Sequence, residues 1–182
     1  MESPQHAQVH HKCNPKCENA INQHINLALH NYYIYLSMAY FLDREDVALK
    51  RYSKSILCLS SKAREQAEKL MELQTTRGGV VRQGDIQKPD RNEWDSSRKV
   101  LNLTMSLEKG MNESLCTLYR IASEAPDVYL CDFLRRHLVN QQVQSLKELG
   151  DLITMQHKLG SRDMGIAVYL LDNLTLNDST KN

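Results

Sequence analysis

Four stretches of this sequence carry apolar side chains at alternating steps of four and three residues, the spacing that lines them up along one side of an α-helix. From about residue 15 to Leu42 the stripe is Ile21, Ile25, Ala28, Tyr32, Tyr35 and Ala39. From about 47 to 76 it is Tyr52, Ile56, Leu59, Ala63, Gln66, Leu70 and Leu73. From about 96 to 124 it runs through Leu101, Met105, Glu108, Met111, Leu115, Leu118 and Ala122. From about 127 to 159 it is Leu130, Leu134, His137, Leu138, Gln142, Leu146 and Leu149. At 1.5 Å per residue the first of these helices is about 40 Å long. A shorter stretch, about 164 to 174, carries Ile166, Leu170 and Leu174 as a fifth helix.

The joins set the topology. Asp43–Arg44–Glu45–Asp46 makes a short polar turn after the first helix, and Pro126 marks a short break after the third. Gly78–Gly79 stops the second helix. Residues 78 to about 95, with Gly84, Pro89 and the only tryptophan, Trp94, form one long connection. Short joins place neighbours antiparallel, whereas the long one crosses the whole bundle. The expected fold is all-α: a four-helix bundle in up-down-down-up order, with one crossover and a short fifth helix. Residues 1–14 are expected as a disordered arm, 15–176 as the domain and 177–182 as a tail.

Composition narrows the partners. Lys+Arg (23) nearly balance Asp+Glu (22), a formal charge of +1 with a pI near 7.7, so the overall charge gives no reason to expect nucleic acid or an anionic membrane. No apolar run reaches the ~20 residues of a membrane span. The start is polar and lacks the apolar stretch of a secretory signal. An intracellular, cytoplasmic protein is expected, with the nucleus left open. Its five cysteines (Cys13, Cys17, Cys58, Cys116 and Cys131) are then free thiols, and its Asn-x-Ser/Thr triplets are chance matches. His10, His11, Cys13 and Cys17 fit no closed zinc spacing. Gly78–Gly79 is no phosphate loop, because no Lys-Ser/Thr and no helix start follow it.

The polar interruptions of the stripes carry the chemical question. A di-iron bundle takes a Glu from each of two helices and Glu-x-x-His from each of the other two, because hard iron ions need carboxylate oxygens with imidazole filling the remaining positions. Here the corresponding stripes hold Ala28, Ala63-x-x-Gln66, Glu108 and Gln142-x-x-Ser145. One carboxylate remains, flanked by Tyr35, Gln66 and Gln142. That set reads as a hydrogen-bonded buried acid rather than a metal pair.

The strings INLALHNYYIYLSMAYFLDREDVALK, AREQAEKLMELQ, RGG, DIQKP, SLEKGMNESL, CDFL, KELGDL and YLLDNLTL resemble, in content and order, the heavy chains of the ferritin family, from about Ala20 to Leu176. The resemblance implies a subunit of a 24-subunit iron-storage cage. It also implies an oxidation site at Ala28, Tyr35, Ala63, Gln66, Glu108 and Gln142, where the family's ligands at 28, 63 and 66 are replaced. A luminal carboxylate patch is thinned: Glu65 and Glu68 persist, while Cys58, Ser61 and Lys62 stand where acids or metal-binding groups are expected. The threefold pore falls on Asp132, Arg135, Tyr119 and Cys131, with Arg135 in place of an acid. The fourfold pore falls on Ile166, Leu170 and Leu174, all apolar.

The resulting expectation is a storage subunit without ferroxidase activity. It adds shell to cages, alone or mixed with other ferritin chains, binds iron weakly at best and has no organic cofactor. The rival is a cage or interaction protein that no longer handles iron. An active ferroxidase is the least favoured reading, because the bridging carboxylate is missing.

Overall fold

A computed structural model describes residues 14–89 and 94–159. Helix α1 spans Pro15–Leu42, α2 Lys50–Thr76 and α3 Ser97–Glu124. The fourth long helix consists of α4 (Val128–Leu134), a π turn (Arg135–Val139) and α5 (Asn140–Leu159). The expected all-α bundle is what forms. The N-terminal residues 1–13, the fifth helix at 164–174 with Ile166, Leu170 and Leu174, and the tail at 177–182 lie outside the described residues.

Local chemistry explains the helix ends. Asn14, expected to close a disordered arm, is instead the N-cap of α1: its side chain accepts from Lys16 N at 2.9 Å, and Pro15 supplies a preset φ. Ser96 caps α3 in the same way through Lys99 N, and Asp127 caps α4 through Leu130 N. Helix α2 starts at Lys50 rather than at 47. Ala48 takes a left-handed φ of 54°, and the Leu49 N–H turns back to Leu42 O at 2.9 Å, so the helix cannot extend through Val47–Leu49. At the other end of α2, Gly78 at φ 75° closes a paired cap, in which Gly79 N donates to Gln74 O and Gly78 N to Thr75 O.

The fourth helix departs from the expected stripe. Its inward positions are Leu130, Leu134, Leu138, Gln142, Ser145 and Leu149. In an α-helix each step of four overshoots a turn by about 40°, so three in succession would carry the stripe about 120° around the helix. The wider π turn absorbs that drift and keeps the stripe facing inward. Its consequence is that His137, expected inside, is exposed, and Leu146 is only half-buried while Ser145 is buried.

The crossover is strapped along α1. Asn22 donates to Val80 O and accepts from Arg82 N. Asn26 accepts from Gly84 N at 3.2 Å, and His30 Nδ1 donates to Gln87 O at 3.1 Å. Farther along, Trp94 Nε1 donates to Ser37 Oγ. These partners advance along α1 as the connection advances, so the chain travels the bundle's length before α3 begins. The buried Gln74 amide anchors the start of the crossover by donating to Glu18 O and Val80 O. The topology with one crossover follows directly.

Two apolar cores result. One gathers Ile21, Ile25, Leu70, Leu115, Leu118 and Leu130, the other Met38, Leu42, Tyr52, Ile56, Trp94 and Leu101. Each fully buried leucine among them contributes about 1.5–3 kcal/mol.

The first core also holds a titratable group. His24 is fully buried between α1 and α3, with Nδ1 2.8 Å from Ser114 Oγ, and burial lowers its pKa from 6.5 to about 4. The fold therefore favours neutral imidazole. The unfolded chain takes up the proton as pH falls through 6.5, and the fold only near 4. The stability that His24 supplies above pH 6.5 is lost between 6.5 and 4, by up to about 3 kcal/mol. Urea midpoints taken across that window should fall steeply for wild type and less steeply for His24→Gln; parallel curves would exclude His24 as the source.

Candidate functional site

Between the two cores lies a polar layer. Helix α1 brings Tyr35, α2 brings Ala63 and Gln66, α3 brings Glu108, and α5 brings Gln142 and Ser145. These six surround a cavity of about 30 Å³, close to the volume of one water molecule, with Lys62 and Gln141 also on its wall.

Among the described residues Glu108 is the only carboxyl in the layer, and its oxygens are engaged. The Tyr35 hydroxyl donates to Oε1 at 2.6 Å, and Gln142 Nε2 donates to Oε2 at 2.6 Å. The same Gln142 amide donates to the Glu108 main-chain oxygen at 3.1 Å. Burial first, then the Glu108 charge and hydrogen bond, push the Tyr35 phenol well above its ordinary range, so it keeps its proton and remains a donor. The arrangement satisfies a buried acid that would otherwise carry a large desolvation penalty.

The remaining positions offer little to a metal. Ala63 presents a methyl group and Gln66 a neutral amide to the cavity. Ala28 does not reach its wall. It is fully buried in the first apolar core, on the same helix two turns before Tyr35. Among the described residues no three His, Cys, Asp or Glu side chains come together as a potential metal site. A pair of hard cations would find one carboxyl, already accepting two hydrogen bonds.

The other sequence-derived positions lie on the surface. Glu65 and Glu68 are exposed on α2, and Glu68 pairs with Arg64 at 3.5 Å. Cys58, Ser61 and Lys62 share that exposed side. Tyr119, Cys131, Asp132 and Arg135 meet in an open groove of about 600 Å³, together with Val128 and Tyr129. Here sequence reasoning missed a partner. Asp132 is held by Arg135 and also by Arg136, each at 2.8 Å. The Arg135 hydrogen bond foremost, with the second guanidinium adding to it, holds the Asp132 carboxyl below the usual range. The signal was present as the i, i+4 spacing of Asp132 and Arg136.

Among the described residues no helix is long and apolar enough to cross a membrane. Compared with known families, residues 18–156 match the model of the ferritin-like domain, which is most of the chain and all four long helices apart from the first turn of α1 and the last of α5. With the single crossover, the polar layer at mid-bundle and a family match of that extent, the chain belongs to the ferritin family.

Proposed function

We propose that this protein is a cage-forming ferritin subunit of the cytoplasm that supports iron storage by adding shell without oxidising iron. On this reading it is not an enzyme. The observation that carries it is the closed state of Glu108: its oxygens are taken by Tyr35 and Gln142, and Ala63 and Gln66 supply no carboxylate across the cavity. Oxidation of paired Fe(II) needs both metals held at once, and one occupied carboxyl cannot hold them. Assembly into a 24-subunit cage, alone or mixed with other ferritin chains, is carried over from the family.

A second reading, a cage that has left iron handling, is favoured by Asp132. A passage that draws Fe(II) inward needs negative walls. Here one carboxyl faces two guanidinium groups, a sum of +1 per chain from Asp132, Arg135 and Arg136.

The iron content of purified cages separates the two. Cages of this chain alone, exposed to Fe(II) in air, should hold little iron, whereas cages mixed with an oxidation-competent heavy chain should load nearly in proportion to that chain. Mixed cages that stay as empty as the homopolymer would support the second reading. A homopolymer that fills as well as the mixed cages would refute the storage-shell proposal.

A further inference from the structure

Helix α2 is divided by charge. Residues 50–64 contain five cations (Lys50, Arg51, Lys54, Lys62 and Arg64) and no acid, and Glu65 begins a half of mixed sign. Elsewhere several exposed cations are coupled to acids one turn away, as in Lys99–Asp95, Arg120–Glu124 and Lys147–Asp151, while Lys16, Lys109 and Lys158 stand singly on their helices. Lys50, Lys54 and Lys62 are exposed and make no ion pair among the described residues. Of the exposed acids that flank this half, Asp46 pairs with Arg44 and Glu68 with Arg64, while Asp43, Glu45 and Glu65 make no ion pair among the described residues.

The geometry makes these lysines one face. At 100° per residue Lys50, Lys54 and Lys62 fall within about 120° of the helix surface, and Lys54 and Lys62 stand about 12 Å apart along it. Exposed Ser61 lies between them. Three compact ammonium groups in a row suit a chain of phosphates better than a single ion. Nucleic acid is disfavoured, because α2 supplies none of the exposed aromatic side chains found among the described residues and so no platform for base stacking.

We propose that the N-terminal half of α2 is an oligophosphate-binding face, carried by Lys50, Lys54 and Lys62. In the proposed cage, on which this location rests, that face is inner wall and its ligand is anionic cargo. The positive balance at Asp132, Arg135 and Arg136 then points the same way.

The test is equilibrium dialysis of the full-length assembled protein against tripolyphosphate and against orthophosphate, from low to moderate salt. Tripolyphosphate should be retained, with a log–log salt slope of about −2 to −3, as expected for roughly three released counterions. The set Lys50→Gln, Lys54→Gln and Lys62→Gln should weaken retention at least tenfold and flatten the slope, and the corresponding Glu set should abolish retention. The pair Arg135→Ala and Arg136→Ala should leave equilibrium retention intact. Absence of wild-type binding at low salt, equal binding by the α2 sets, or loss confined to the arginine pair would each overturn the assignment. So would orthophosphate held as tightly as tripolyphosphate, which would mean a single-ion site. Light scattering on the same samples separates the two ideas: a protein that retains tripolyphosphate but forms no cage sinks the cage reading and leaves this face standing.

Discussion

Introducing Ala28→Glu, Ala63→Glu and Gln66→His together is expected to turn the assembled protein into an Fe(II) oxidase, at least about two orders of magnitude faster than wild type, while each single change leaves the rate at background. Ligands that share two metals act as a unit, so a partial set has no partial function. The structure adds a condition. Ala28 is fully buried in an apolar core, and the cavity holds only about 30 Å³. Two new carboxylates and an imidazole therefore crowd the layer and bury charge, destabilising the metal-free triple variant by about 1–3 kcal/mol or more. Bound metal offsets that loss, so Zn(II) should raise the melting temperature of the triple variant and leave wild type unmoved. A single variant as active as the triple would contradict the shared-ligand argument.

The largest stability effect is expected at Asp127. Its Oδ2 pairs with Arg77, the two side chains are each only 11% exposed, and its Oδ1 caps α4 through Leu130 N at 3.0 Å. The Arg77 guanidinium also lies 5.9 Å over the Tyr129 ring. One side chain thus ties the end of α2 to the start of the fourth helix. Asp127→Ala strands a nearly buried guanidinium, at about 3–5 kcal/mol, and removes a cap worth about 1 kcal/mol. Asp127→Asn keeps a capping oxygen and should lose less than Asp127→Ala. Urea unfolding of dissociated subunits checks both values. A loss under about 1 kcal/mol for Asp127→Ala would show that the pair is not structural.

Legibility followed periodicity. Helices α1 and α3 can be read to within a residue, because their stripes begin at a capping residue and a proline or serine and end at polar turns. The start of α2 cannot, since Val47–Ala48–Leu49 continues the apolar run while the backbone at Ala48 turns left-handed. The π turn leaves only an indirect trace, the succession of steps of four from Leu130 to Gln142. The strap of Asn22, Asn26 and His30 lies on the polar side of α1, where sequence alone reads solvated residues. Ala28, Ala63 and Gln66 are legible in the sequence as side chains that supply neither carboxylate nor imidazole. The geometry adds what periodicity cannot give, namely that Glu108 is closed by Tyr35 and Gln142 and that Ala28 stands apart from the cavity.

On the proposed function, this bundle keeps the ferritin scaffold and has lost the paired-metal chemistry. Stopped-flow mixing of assembled wild-type protein with Fe(II) in air-saturated buffer separates that function from an active oxidase. The expected trace superimposes on that of buffer alone; a fast protein-dependent oxidation phase would show that the bundle still holds a working metal pair.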